Sequence, residues 1–107
     1  MDVTEKISEI TQRIVNHSQP EKIILFGSYA RGDFGPDSDV DLLVVIPGLK
    51  NLRAESTRLR GVLRGLLVPV DIVVATPEQL DRLGNVAGLV YRDALAEGKV
   101  LYERTTG

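Results

Sequence analysis

The chain has 107 residues, 43% of them hydrophobic and 26% charged, with a formal net charge of −2. That length and balance suit one globular domain over residues 1–107 and exclude a disordered chain or a second domain of ordinary size. Cysteine is absent, which excludes disulfide frameworks, thiolate zinc sites and cysteine nucleophiles, and the acidic balance argues against a long nucleic acid held by phosphate neutralisation.

Val3, Ile7, Ile10 and Ile14 recur at helical spacing among polar residues, so residues 3–17 read as an amphipathic helix. Its opening, MDVTEKISEI, carries acids where a signal peptide needs a basic and then an apolar segment. No apolar run in the chain approaches the ~20 residues of a membrane span, so the expected location is cytoplasmic. Ser18, Gln19 and Pro20 end the helix. His17, the only histidine, falls in the last turn, where it favours the terminus and reads as surface or capping rather than catalytic.

Lys22 to Phe26 is short, apolar and β-rich, a buried strand. GSYARGDFGPDSD follows, dense in Gly, Pro, Asp and Ser, and reads mostly as loop. Val40 to Ile46 is a second strand, apolar except for Asp41. Between Asn51 and Leu67 the residues Leu52, Leu59, Val62, Leu63 and Leu66 mark one face of a second helix, weakened by Gly61 and Gly65. Val70 to Ala75 is a third strand, again with one aspartate, expected to lie close to the first.

Thr76-Pro77-Glu78-Gln79 is a helix start, with Thr as N-cap and Pro at the first position. That helix reaches about Leu83, Gly84-Asn85 interrupts it, and another runs from about Val86 to Glu97 with Gly98 as its stop. Lys99 to Tyr102 reads as a short closing strand. The order α-β-loop-β-α-β-α-α-β predicts an α/β (α+β) fold, a small mixed sheet with helices packed on one face.

Two strands that are otherwise apolar carry aspartate. Asp39 and Asp41 are two apart, so on an extended chain they point to one side. Asp71 opens the third strand. An ionised carboxylate in a buried strand is costly unless paired, and converging carboxylates repel one another unless a cation joins them. Oxygen ligands without His or Cys point to Mg²⁺ or Mn²⁺ rather than zinc. The bland alternative is that each aspartate caps a loop or pairs with an arginine. That alternative suits Asp33, Asp37 and Ser38; it is weakest for Asp41 and Asp71, for which the sequence specifies no arginine. Gly27-Ser28, at the end of the first strand, lets backbone amides approach a phosphate, with the Ser28 hydroxyl as a further donor.

The spacing Gly27-Ser28, ten residues, Asp39-Val40-Asp41 resembles the GS-x₁₀-DxD signature of the DNA polymerase β-like nucleotidyltransferase superfamily. The string GSYARGDFGPDSDVDLLVV is similar to its minimal nucleotidyltransferases, and VDIVV and YRDALAEGKVLYE match later parts of the same pattern. The resemblance implies a polymerase β-like fold and an enzyme that uses ATP. It implies that Gly27 and Ser28 hold the β- and γ-phosphates, that Asp39 and Asp41 ligate two Mg²⁺ ions, and that Asp71 ligates one and acts as base. Arg31 is either a phosphate ligand or the partner of Asp33 or Asp37. Arg53, Arg60 and Arg64 lie near one stripe and read as a solvated basic face. Tyr91 and Tyr102 read as packing residues.

In the resembling family the partner is commonly a small helical HEPN toxin, an RNase, whose tyrosine receives AMP, so the chain is expected to act as a type VII-like antitoxin. The larger relatives' acceptor-binding helical domain is not evident, which points to an exposed docking site. A small-molecule transferase of the aminoglycoside-modifying kind and a masking antitoxin without catalysis are the alternatives.

Overall fold

The computed structural model describes residues 3–83 and 90–104. In chain order the elements are α1 (Val3–Ser18), β1 (Lys22–Phe26), α2 (Ser28–Arg31), β2 (Val40–Val45), α3 (Leu52–Val62), β3 (Val70–Ala75), α4 (Pro77–Leu83), α5 (Val90–Glu97) and β4 (Lys99–Glu103). The expected strands are present, and the first and third match their expected bounds. The expected break at Gly84-Asn85 and helix start at Val86 lie outside the described residues.

The sheet order is β3-β2-β1-β4. β1 runs antiparallel to both β2 and β4, and β2 runs parallel to β3. Parallel neighbours need a crossover long enough to return the chain, and α3 supplies it between β2 and β3. β3 therefore lies at an edge beside β2. It does not adjoin β1, whose other side is taken by β4.

Both central strands are buried on both faces, which corrects the expectation of helices on one face only. Ile23, Leu25, Leu42 and Val44 join Ile10 and Ile14 of α1 and Leu59 of α3 in one cluster. Ile24, Phe26, Leu43, Val45 and Ala75 join Ala94 of α5 in another, with Leu80 and Tyr91 packed on it. The physical signal was already in the strands: IILF and LLVV are continuous apolar runs, whereas a sheet with one wet face alternates.

Two helices differ from their sequence reading. Residues Ser28–Arg31, expected as loop, form one short helical turn between Gly27 and Gly32, both at positive φ. α3 starts as expected at Asn51, whose side chain accepts from the Ala54 amide at 3.0 Å. It stops at Val62 rather than near Leu67, because Gly65 (φ +90°) and Leu67 (φ +57°) turn left-handed. α1 and α3 are joined by a contact that spacing alone could not announce. Ser18 Oγ donates to the buried carboxylate of Glu55 at 2.5 Å, and Arg58 pairs with the same carboxylate at 3.1 Å. Arg58 also meets His17 Nε2 at 2.9 Å on the exposed surface.

Candidate active site

The site is assembled where β1 ends and β2 and β3 begin. Phe26, the last residue of β1, pairs with Asp41 across the antiparallel ladder. Asp41 pairs in turn with Asp71 across the parallel one. Register partners share a face of the sheet, and the alternation puts both carboxylates on the side that carries Leu43, Val45 and α5. Asp39 lies two residues before Asp41, just outside β2, and is exposed. The sheet thus brings Asp41 and Asp71 together and leaves Asp39 at the rim. Among the described residues, no group of three acidic or histidine side chains is drawn tightly enough to cage an ion as it stands.

Burial and neighbouring charge both act on Asp41. Its carboxyl is raised above the usual aspartate value, first by desolvation, then by the charges of Asp71 and Asp39, with Arg31 opposing. A divalent cation would relieve that cost, and an all-oxygen donor set suits Mg²⁺ or Mn²⁺. The donor chemistry of these residues therefore fits a hard cation, while the three carboxylates are not drawn around one point in the ion-free protein.

Gly27 closes the other side. At φ +73° it leads into α2, and an added Cβ would lie 2.2 Å from Asp41 Oδ2. Only a residue without a Cβ allows this approach of backbone to carboxylate. No side chain caps the start of α2; the Ala30 and Arg31 amides donate to the Gly27 carbonyl at 3.1 and 3.0 Å, which leaves the Ser28 amide and its half-buried hydroxyl as the donors nearest the carboxylates. The loop beyond is stiffened locally: Tyr29 stacks on Phe34 with ring centroids 4.4 Å apart, and the Gly35 amide donates to Ser38 Oγ at 2.8 Å.

Arg31 is engaged by acids. It donates to Asp33 at 3.2 Å and to Glu97 at 3.3 Å, which ties α2 to the end of α5. Asp33 was an expected partner; Glu97 takes the place expected for Asp37. These bonds, Asp33 first, hold the guanidinium above its usual range. Arg60 does not belong wholly to a solvated face. Its Nη2 stands 3.9 Å from Asp71 Oδ1, so an arginine does face the third carboxylate. Neither Glu97 nor Arg60 is marked by a motif; both partnerships arise from how α5 and α3 pack. Tyr91 and Tyr102 pack against the two cores as expected.

Residues 4–101 match the family described as the nucleotidyltransferase domain, and the chain belongs to that family. A Methanocaldococcus jannaschii protein named "Putative protein adenylyltransferase" is 37% identical over 82 residues, 77% of this chain and 78% of that protein. A solved structure described as a "putative minimal nucleotidyltransferase" is 30% identical with a TM-score of 0.61, covering 92% of this chain and 95% of that one. A toxin-antitoxin structure with AMP-PNP superposes with a TM-score of 0.64 at 22% identity, over 97% of this chain and 76% of that one. Among the described residues, no helix is long and apolar enough to cross a membrane.

Proposed function

We propose that this chain, acting as one cytoplasmic domain, transfers AMP from ATP to a hydroxyl group on a partner protein. The observation that carries the reading is the register of Asp41 against Asp71, with Gly27 packed on the Asp41 carboxylate. Asp39, Asp41 and Asp71 would hold two Mg²⁺ ions, which supply positive charge against that of the transferring phosphoryl group. Gly27 and Ser28 bind the β- and γ-phosphates through their amides and the Ser28 hydroxyl, and Arg31 stands at the rim of that loop. Asp71, exposed at the sheet edge, receives the acceptor's proton as its oxygen bonds to the α-phosphorus. The α–β phosphoanhydride bond then breaks and pyrophosphate leaves.

A protein acceptor is supported by the name of the M. jannaschii relative, and an antitoxin role by the toxin-antitoxin neighbour with its nucleotide analogue. The acceptor we propose is a tyrosine of a small helical HEPN RNase toxin. The test incubates the protein with α-labelled ATP, Mg²⁺ and the protein encoded beside it. A covalent label on that partner with release of pyrophosphate is expected, and Asp41→Asn should abolish both. Neutralisation of the partner by an Asp39→Asn/Asp41→Asn/Asp71→Asn variant would overturn catalysis as the mechanism and leave masking by contact.

A further inference from the structure

We infer that Arg60 competes with the cation for Asp71: its guanidinium pairs with that carboxylate in the metal-free protein and is displaced when the cation binds. The inference rests on the metal-site reading above and adds to it a residue that no motif marks. It begins with topology. β3 is an edge strand, and α3 packs on the sheet face opposite the carboxylates, through Leu59 in the cluster with α1. An arginine near the end of α3 can therefore reach around the open edge, and Arg60 Nη2 comes to 3.9 Å from Asp71 Oδ1.

The geometry suits a temporary partner. At 3.9 Å the contact is electrostatic rather than a hydrogen bond, and both side chains are more than half exposed, at 58% and 61%. Such a pair is weak and readily exchanged, whereas a buried bidentate pair would shut the ion out. Among the described residues Asp71 is the only acid paired with Arg60. Arg13, Arg31 and Arg58 instead pair with acids outside the strands, Glu9, Asp33 with Glu97, and Glu55. The side chain also has somewhere to withdraw. A hollow of about 270 Å³, lined by Arg60, Leu63, Val68 and Val70, opens beside it.

The test uses Mn²⁺ alone, without nucleotide, titrated calorimetrically into the wild type, Arg60→Ala, Arg60→Lys and Arg64→Ala. At low salt Arg60→Ala should bind Mn²⁺ about two- to five-fold tighter, the range expected for losing an exposed pair. The gain should shrink at high salt. Arg60→Lys should stay near wild type, and so should Arg64→Ala, which removes the same charge from a neighbouring exposed position. In EDTA, the thermal stabilities of Arg60→Ala and Asp71→Asn should be non-additive, because each removes the same contact. An equal gain in Arg64→Ala would reduce the effect to net charge and overturn the inference, as would unchanged or weaker Mn²⁺ binding in Arg60→Ala. An additive cycle in EDTA would also overturn it. If no variant nor the wild type binds Mn²⁺, the metal-site reading fails and the exchange fails with it. A coupled EDTA cycle in that case would leave a purely structural ion pair.

Discussion

At Gly27 the backbone takes φ +73°, and the space where a Cβ would stand is filled by the Asp41 carboxylate, 2.2 Å away. Gly27→Ala must therefore bend the backbone and push Asp41 aside together. The left-handed conformation alone costs about 1–3 kcal/mol for a non-glycine residue. Displacing a ligand by an ångström can cost about 100-fold in rate. The variant is expected to melt lower and to lose transfer by at least that factor, measured by thermal denaturation and by labelling of the acceptor. Asp41 itself makes a second forecast. Its folded value is raised, so protonation favours the fold. That advantage is full below the usual aspartate value and is lost as pH rises through the folded value. Metal-free protein should consequently lose stability relative to Asp41→Asn as pH climbs from about 4 toward neutrality. At pH 7 the Asn variant should be the more stable, by under about 1 kcal/mol given the site's access to water, while its transfer activity is abolished. A pH-independent difference between the two proteins would show that Asp41 does not carry this repulsion.

Among the elements, α5 is held to the sheet by a contact that leaves no spare space. An added Cβ at Gly98 would lie 2.2 Å from the Ala94 carbonyl oxygen and 2.3 Å from Ile24 Cγ2. Gly98 was legible as a helix stop, and its amide does donate back to the Ala94 carbonyl at 2.9 Å. Its second role, letting the helix end touch β1, depends on packing and left no mark on the local pattern. Gly98→Ala should destabilise the fold by about 1–3 kcal/mol, the usual cost of overpacking, as measured by urea denaturation. Because Glu97 precedes it and binds Arg31, the same variant should also loosen the Ser28–Arg31 turn and, under the proposed function, weaken nucleotide binding. Wild-type stability in Gly98→Ala would mean that α5 moves freely against β1. The overlong reading of α3 has a related cause. Leu63 and Leu66 do pack on the core, so their periodicity is real. The chain keeps that apolar face after the helical hydrogen bonds have stopped, and hydrophobic spacing does not distinguish the two.

For the whole molecule, the described residues form a sheet packed on both faces, with β3 and β4 as its edges. Helices cover both faces and the first two strands lie in the interior, while the carboxylates gather where β2 and β3 begin at the uncovered edge. A cation binding there should stabilise the folded state only. At about 100 times its dissociation constant the gain is about 2.7 kcal/mol, visible as a rise in melting temperature with Mg²⁺ or Mn²⁺. The rise should vanish in the Asp39→Asn/Asp41→Asn/Asp71→Asn variant. An equal rise in that variant would place the ion elsewhere. Strand positions to within a residue, the spacing of Gly27-Ser28 from Asp39 and Asp41, and the isolation of Asp71 within an apolar strand were decided by short-range pattern, and so were readable in the sequence itself. The tertiary structure decided which strands are neighbours and that Asp71 stands opposite Asp41 with Arg60 reaching round the edge. The reason is physical. Periodicity and turn chemistry act over a few residues, whereas strand order and exposed ion pairs are settled only when distant apolar faces meet and carry their charged neighbours with them.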